Sequence, residues 1–450
     1  MTRSFSWMLA GILCVSAGVL RAGQAEGPES RVRALEERIR QLEVEREALE
    51  SRLSKLEALI AGATAAPGAT AAQPMPAGPP PAIQTQEIAL APAPSSQPAD
   101  DTEESVRLPY AGYMEFHLNK PRGESSELDF HRFVLLFGHS FSSRIKFWSE
   151  LELEHALVEG AEEKGELELE QAYLDFYLKP WFNLRGGMLL APVGQINERH
   201  EPPAFFGVER PMVDTVIIPS TWFDTGIGAW GDLGRGFSYR FYLMAPLDAT
   251  GFSADEGLRG GRQSGFRSNL RNLARTVRVE YRGVPRLTLG GSFWGGRTGF
   301  DTPDLGVPVR LASFDGRYSW ERLEFRGQYA HGWIREAGLL NRALQRRRGI
   351  QPNIAEQIRG FYGEGAIHLF PRRSNHDLAL FARYENFDTQ YRMPSGFIPL
   401  KQFDRSSWTL GASYFPHPDV VFKADYAFNR SESQVIQPRD QFNFGVGWWF

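Results

Sequence analysis

Along the chain after residue 106, apolar and polar residues alternate one by one. In 144–154, Ile145, Phe147, Leu151 and Leu153 share one side, and Lys146, Glu150, Glu152 and Glu154 share the other. The last segment repeats the pattern, with Phe442, Phe444, Val446, Trp448 and Phe450 set against Gln441, Asn443, Gly445 and Gly447. A period of two predicts β-strands with one apolar and one polar face. Further runs cover 237–245, 276–281, 323–329, 378–385, 408–414 and 420–428. A coarse count gives about sixteen strands, with fourteen and eighteen as the neighbouring counts.

The connections alternate in length. Short ones carry turn residues: Phe141-Ser142-Ser143, Lys179-Pro180-Trp181, Gly283-Val284-Pro285, the segment 371–376, and Pro416-His417-Pro418-Asp419. Long ones cover roughly 155–165, 191–221, 248–273, 295–306, 332–356, 387–404 and 431–440. Short turns at one end and long loops at the other predict a transmembrane antiparallel β-barrel rather than a soluble sandwich. Sixteen strands over 106–450 leave about ten residues per strand plus loops, enough for a tilted strand to cross a bilayer. In lipid such strands must close on themselves, because no water satisfies an open edge. Aromatic residues near the strand ends suit interface girdles: Tyr110, Trp148, Tyr173, Tyr177, Trp181, Trp222, Trp230, Trp320, Trp408, Trp448 and Trp449. No helical periodicity shows after residue 105 to cover the apolar face of a soluble barrel.

The first 105 residues follow other patterns. Residues 1–25 read as a secretory signal peptide, with Arg3 before an apolar stretch and Gly23-Gln24-Ala25 ending in small residues; an N-terminal anchor helix is the alternative. In 31–60, Val32, Leu35, Ile39, Leu42, Leu49, Leu53, Leu56 and Ile60 form a heptad stripe that Arg46 interrupts. That predicts a self-associating α-helical coiled coil in preference to a helix packed on its own domain, without deciding dimer against trimer. Residues 61–105 are Pro- and Ala-rich and read as an extended linker.

Composition sharpens this division. The chain has 450 residues, 42% of them hydrophobic, with a net charge of −4 and a mean hydropathy of −0.35. That excludes a polytopic helical membrane protein, and a 13% aromatic content excludes global disorder. The single cysteine, Cys14, falls in the signal segment. With cleavage after Ala25, disulfides and thiol chemistry are not expected. Residues 1–105 hold 9 basic and 14 acidic residues, which leaves 41 and 40 for 106–450. Any ion preference of the barrel must therefore come from the placement of charge rather than its total.

Several motifs then follow one another: Asp129-Phe130-His131-Arg132-Phe133, the segment 149–156, the segment 165–173, and Pro192-Val193-Gly194. His200-Glu201-Pro202-Pro203, Gly207-Val208-Glu209-Arg210-Pro211 and Ile217-Ile218-Pro219-Ser220-Thr221-Trp222 continue the series, and the chain ends in aromatic Phe450. This succession resembles the phosphate-selective porin O and P family, over most of 106–450 and most densely over 129–230. The resemblance implies a sixteen-stranded homotrimeric porin of the bacterial outer membrane, passing phosphate, polyphosphate or other solutes. Some members carry a similar N-terminal coiled coil, which here would lie in the periplasm.

Three charged constellations are candidates for permeation. The first is the long loop 191–221, with Glu198, Arg199, His200, Glu201, Glu209 and Arg210. It is the third outer loop by count and is expected to fold inward as a constriction, or else to pack as an ordinary outer loop. The second is basic: Arg259, Arg262, Arg267, Arg271, Arg275, Arg278 and Arg282, then Arg342, Arg346, Arg347 and Arg348. These suit either an anion-attracting mouth or contact with lipopolysaccharide phosphates. The third is acidic: Glu150, Glu152, Glu154, Glu166, Glu168 and Glu170, on two strands joined by one loop. Opposed like charges repel, so arginine partners across the channel are expected.

Enzyme signatures are missing. No nucleotide-binding glycine loop opens a helix. Glu198-Arg199-His200-Glu201 holds one histidine without a second ligand at metal spacing, so neither metal nor cofactor is expected. Nucleic acid is not an expected partner. The sequence thus predicts an outer-membrane channel for small solutes, anions such as phosphate first. The alternatives are a structural anchor with little conductance and, with less support, a lipid-modifying barrel enzyme.

Overall fold

The computed structural model describes residues 111–155, 165–266, 268, 272–298, 305–349, 352–370 and 376–450. The expected signal peptide, coiled coil and linker lie outside the described residues, as do Arg267 and Arg271. Sixteen strands follow in chain order. They are β1 (Ala111–Pro121), β2 (Glu127–Ser142), β3 (Ile145–Glu154), β4 (Glu166–Lys179), β5 (Phe182–Leu190) and β6 (Phe223–Gly234). Next come β7 (Phe237–Met244), β8 (Ala274–Tyr281), β9 (Leu287–Arg297), β10 (Pro308–Trp320) and β11 (Leu323–Ile334). The set ends with β12 (Gln357–His368), β13 (Asp377–Arg392), β14 (Asp404–His417), β15 (Val420–Ser431) and β16 (Gln441–Trp449).

Each strand pairs antiparallel with its chain neighbours, and β1 pairs with β16 to close the barrel. The closing register sets Tyr113 opposite Trp449 and Pro121 opposite Gln441. Backbone bonds between Gly112 and Phe450 extend it at 3.0 and 2.9 Å. Closure leaves no edge, which is the condition a strand must meet in hydrocarbon.

The alternation read from sequence becomes an inside and an outside. Leu167, Phe241, Phe293, Phe314, Phe325, Trp408 and Phe444 are exposed on the outer surface. Their neighbours Glu170, Arg278, Asp315, Glu324 and Asn443 are buried on the inner face. No helix among the described residues is long and apolar enough to cross a membrane. Short turns join β2–β3, β4–β5, β6–β7, β8–β9, β10–β11 and β14–β15 at one end. In the β6–β7 turn, Gly236 has φ +84°, and a Cβ there would lie 2.2 Å from the Gly283 backbone. Only glycine fits that position.

Two expectations need correction. The aromatic girdle is smaller than the sequence suggests. Trp181, Trp320 and Trp408 are exposed, but Trp222 is buried at 2% exposure, and Tyr173 and Trp230 turn inward onto Arg185. Periodicity cannot distinguish an aromatic ring at an interface from one stacked on a lumenal cation. A helix also lies after residue 105: α1 (Ala337–Arg348), in the loop between β11 and β12. Its buried residues Ala337, Leu340, Ala343 and Leu344 fall at helical spacing. Three turns that end in three consecutive arginines are too short for the pattern to stand out. Asn341 ties the helix to the chain beyond it, exchanging 2.8 Å bonds with the Ile354 carbonyl and N–H.

The main apolar core lies inside the barrel. Val193, Val213, Val216, Ile217, Ile218 and Trp222 from the β5–β6 loop meet Leu247, Phe252 and Leu258 of the β7–β8 loop. Leu340 and Leu344 of α1 and the wall residues Tyr242, Trp294, Leu311 and Ile358 complete it. The three inward loops thus support one another as a single packed body.

Candidate functional site

The β5–β6 loop leaves and returns at neighbouring positions, with the Ala191 N–H bonded to the Trp222 carbonyl at 2.8 Å. Between these points it runs around the inside of the wall. Its polar backbone has no strand partner, so wall side chains supply the hydrogen bonds. The Gly194 N–H donates to Ser292 on β9 and the Gln195 N–H to Gln328 on β11 (2.9 Å). Gln195 also donates to the Tyr362 hydroxyl on β12 at 2.7 Å. The Met212 N–H donates to Glu385 on β13 (2.6 Å) and the Val208 N–H to Asp425 on β15 (2.7 Å). In return, Arg326, Ser413 and Lys423 donate to the carbonyls of Ala204, Phe206 and Gly207. The long loop is therefore an internal element, held against the inside of the wall.

Wall charges are paired beneath it. Arg132 on β2 bonds Glu115, lies 3.9 Å from Glu152, and donates to the His200 carbonyl at 3.2 Å. Arg326 contacts Glu324 at 2.6 Å, and Arg383 lies 3.6 Å from Glu364. The acidic strands β3 and β4 align as the sequence suggested, Glu152 opposite Glu168 and Glu154 opposite Glu166. Arg132 supplies one of the arginine partners such a wall requires.

The candidate residues divide into groups. Arg210, Arg259 and Arg262 converge on one point: Arg210 donates to the Thr221 hydroxyl at 2.8 Å, Arg259 to the Ser220 carbonyl and Arg262 to the Thr221 carbonyl. All three stay partly exposed. Arg199 is 38% exposed and lies 3.8 Å from Glu280. Glu198 accepts a 3.0 Å bond from Arg240, and Glu209 accepts from Asn119 (3.1 Å) and sits 3.1 Å from His117. Glu201 opens a short 3-10 turn, Pro202–Ala204. His200 is buried between Glu150 and Glu170.

Other candidates do not join this group. Arg275 shares its side of β8 with outward Val279 and is exposed, so it faces away from the lumen. Strand alternation places it outside, because lumenal Thr276, Arg278 and Glu280 have the opposite parity. Arg278 does point inward, but it is buried in a two-pronged pair with Asp315 at 2.6 and 2.8 Å. Arg342, Arg346 and Arg347 lie on the exposed face of α1, and Arg348 ends that helix.

The sequence reading missed the residues that receive the loop. Arg326, Arg383, Lys423 and Asp425 were visible only as polar positions on strands. Asp214 was not singled out at all. It is fully buried, accepts a 2.5 Å bond from Gln328, and leaves its second carboxylate oxygen unpartnered. Burial pushes its carboxyl up to about 7, against the Gln328 bond and with help from the Asp315 and Glu385 charges. The neutral acid is thus the form that suits the docked loop. Its stabilising contribution is complete below the ordinary aspartate range and is lost as pH rises through about 7. Conductance recordings at about pH 5 and about pH 8.5 are expected to show the loop less firmly held at the higher value, as added current noise. Asp214→Asn should abolish that difference; identical pH profiles for both proteins would remove Asp214 from the account.

A protein of Aquifex aeolicus (strain VF5), itself uncharacterised, is 37% identical over 350 residues, covering 75% of this chain and 79% of that protein. The chain belongs to that protein's family. No model of a known protein family matches it. Beyond the family, the barrel resembles solved outer-membrane channels. One is DcaP of Acinetobacter baumannii, with a TM-score of 0.50 at 11% identity, over 76% of this chain and 96% of that one. Another is OmpF of Salmonella typhi, determined with daunomycin, with a TM-score of 0.50 at 10% identity, over 76% and 97%. At such identities the likeness concerns the fold, and the fold of this family member is that of a bacterial outer-membrane porin.

Proposed function

We propose that the protein is an outer-membrane porin, a homotrimer through which small solutes, anions such as phosphate first, diffuse passively. The observation that carries this reading is the closed sixteen-stranded barrel with one long loop held inside it by charged wall residues. A loop so placed narrows a lumen without closing the wall, which is how a diffusion pore sets its size limit. Charge placement supports the anion preference. Glu150, Glu152, Glu170, Glu280 and Glu364 are buried, whereas Arg199, Arg210, Arg259 and Arg262 keep part of their surface. Partly hydrated guanidinium groups near one point suit a phosphate or similar oxyanion. Outward Arg275 supports contact with lipopolysaccharide phosphates. The coiled coil in the periplasm would assist trimer assembly.

A second reading, an anchor with little conductance, is favoured by the apolar core packed within the barrel. Planar-bilayer recording separates the two. The porin reading expects discrete conductance steps and a reversal potential of anion-selective sign in a salt gradient. Arg210→Gln, Arg259→Gln and Arg262→Gln together should reduce anion preference several-fold. Glu substitutions at Arg342, Arg346, Arg347 and Arg348 should reduce it further, and an unchanged potential would assign those four to lipopolysaccharide. Absence of conductance from folded protein would establish the anchor, and cation preference would overturn the anion assignment.

A further inference from the structure

We propose that Glu150, Glu170 and His200 form a binding site for one divalent first-row transition-metal cation, which joins the inserted loop to the acidic wall. The three side chains come from β3, β4 and the β5–β6 loop, and all are at least 96% buried. Their nearest ligand atoms lie within 4.8 Å of one another. His200 Nε2 is 3.1 Å from Glu170 Oε2 and 3.8 Å from Glu150 Oε1. Ligands about 2.1 Å from a tetrahedral metal stand about 3.4 Å apart, so these separations bracket what a shared cation requires.

The orientation of the groups favours a cation over a simple ion pair. His200 Nδ1 lies 3.2 Å from the Asn197 carbonyl, which can only accept, so the ring proton belongs on Nδ1. Nε2 then carries the lone pair and stands beside both carboxylates. Both Nε2 and Glu170 Oε2 are buried without a hydrogen-bond partner despite their closeness. The Nε2 axis is thus turned away from the line to Oε2, as happens when two ligands converge on a third point, where a cation would sit.

The surrounding bonds resemble the outer support of a metal site. The Tyr113 hydroxyl donates to Glu150 Oε1 at 3.2 Å, and Gln171 donates to Glu150 Oε2 at 2.5 Å. Arg132 holds the His200 backbone carbonyl at 3.2 Å. One imidazole with two carboxylates suits Zn²⁺, Co²⁺, Fe²⁺ or Mn²⁺ more than a hard alkaline-earth ion. The sequence concealed this site because its ligands lie 20 and 30 residues apart, with no local spacing to read.

A direct test uses the full chain refolded in detergent, with His131→Ala and His155→Ala to remove a second, more exposed cluster at Asp129, His131 and His155. Equilibrium dialysis against Zn²⁺ at micromolar concentration should yield one metal per chain. Bound Co²⁺ should show ligand-field absorption in the visible. His200→Ala and Glu170→Gln should each weaken binding at least tenfold, while Glu170→Asp retains it in part. Zn²⁺ should raise the thermal unfolding midpoint of the parent but not of His200→Ala, as linkage requires for a ligand bound only by the folded state. Folding of each variant is read from its β-sheet circular dichroism. No stoichiometric Zn²⁺ or Co²⁺ on folded parent protein would overturn the proposal, as would binding that survives both His200→Ala and Glu170→Gln. None of these readouts depends on conductance, so this inference and the porin assignment fail separately.

Discussion

Replacing residues 192–221 with an Asn-Gly turn is expected to raise single-channel conductance several-fold. The ends to be joined already face each other, Leu190 opposite Phe223 and the Ala191 N–H on the Trp222 carbonyl. A two-residue hairpin of this type matches the twist of the flanking strands. The barrel ladder does not depend on the loop, since every strand pairs with two others. What would disappear is the chain that bonds β9, β11, β12, β13, β14 and β15 from within. The apolar residues of the β7–β8 loop and α1 would lose Val213, Ile217, Ile218 and Trp222, on which they pack. Bilayer recording of parent and shortened protein at equal salt measures the effect. Equal conductance would mean that the loop does not set the pore size.

The second large effect is expected at Arg278→Met. Arg278 bridges three strands: it meets Asp315 on β10 with two bonds, Ser292 on β9 at 3.0 Å and Glu280 on its own strand at 3.3 Å. The Arg278 and Asp315 side chains are 3% and 2% exposed. Gly290 admits this pair, because a Cβ there would approach Arg278 Nη2 to 2.4 Å. Removing the cation leaves Asp315 buried without its partner, while Glu280 keeps Arg199 and Arg282; a buried charge so orphaned costs about 3–5 kcal/mol. Denaturant unfolding in detergent should report that loss, and adding Asp315→Asn should recover part of it. A loss below about 1 kcal/mol, the scale of a surface pair, would mean that water reaches the site and that Arg278 behaves as an exposed pore charge.

These two cases mark the limit of sequence reading. The cluster of arginines around Arg278 makes it an anion-binding candidate, yet its partner Asp315 lies 37 residues away on another strand. Arg210 belongs to one charged loop and Arg259 and Arg262 to another, and the structure brings the three together on Ser220 and Thr221. His200 has no second ligand at metal spacing near it in sequence, and its neighbours in space are Glu150 and Glu170 on the wall. Arg275 and Arg278 differ by three positions, and strand parity alone sends one outward and one inward.

What the chain determined by itself was the barrel. A two-residue period is a local property, and each strand carries it independently of its partners. The alternation of short and long connections, the strand number and the third loop as the long one were all legible for the same reason. Tertiary structure decided what fills the barrel: which charges neutralise one another, which arginines stay partly exposed, and how loop and wall share Asp214, Glu385 and Asp425. Those contacts join residues up to 217 positions apart. They depend on the register of sixteen strands and the path of one loop, neither of which leaves a trace in the spacing of neighbours along the sequence.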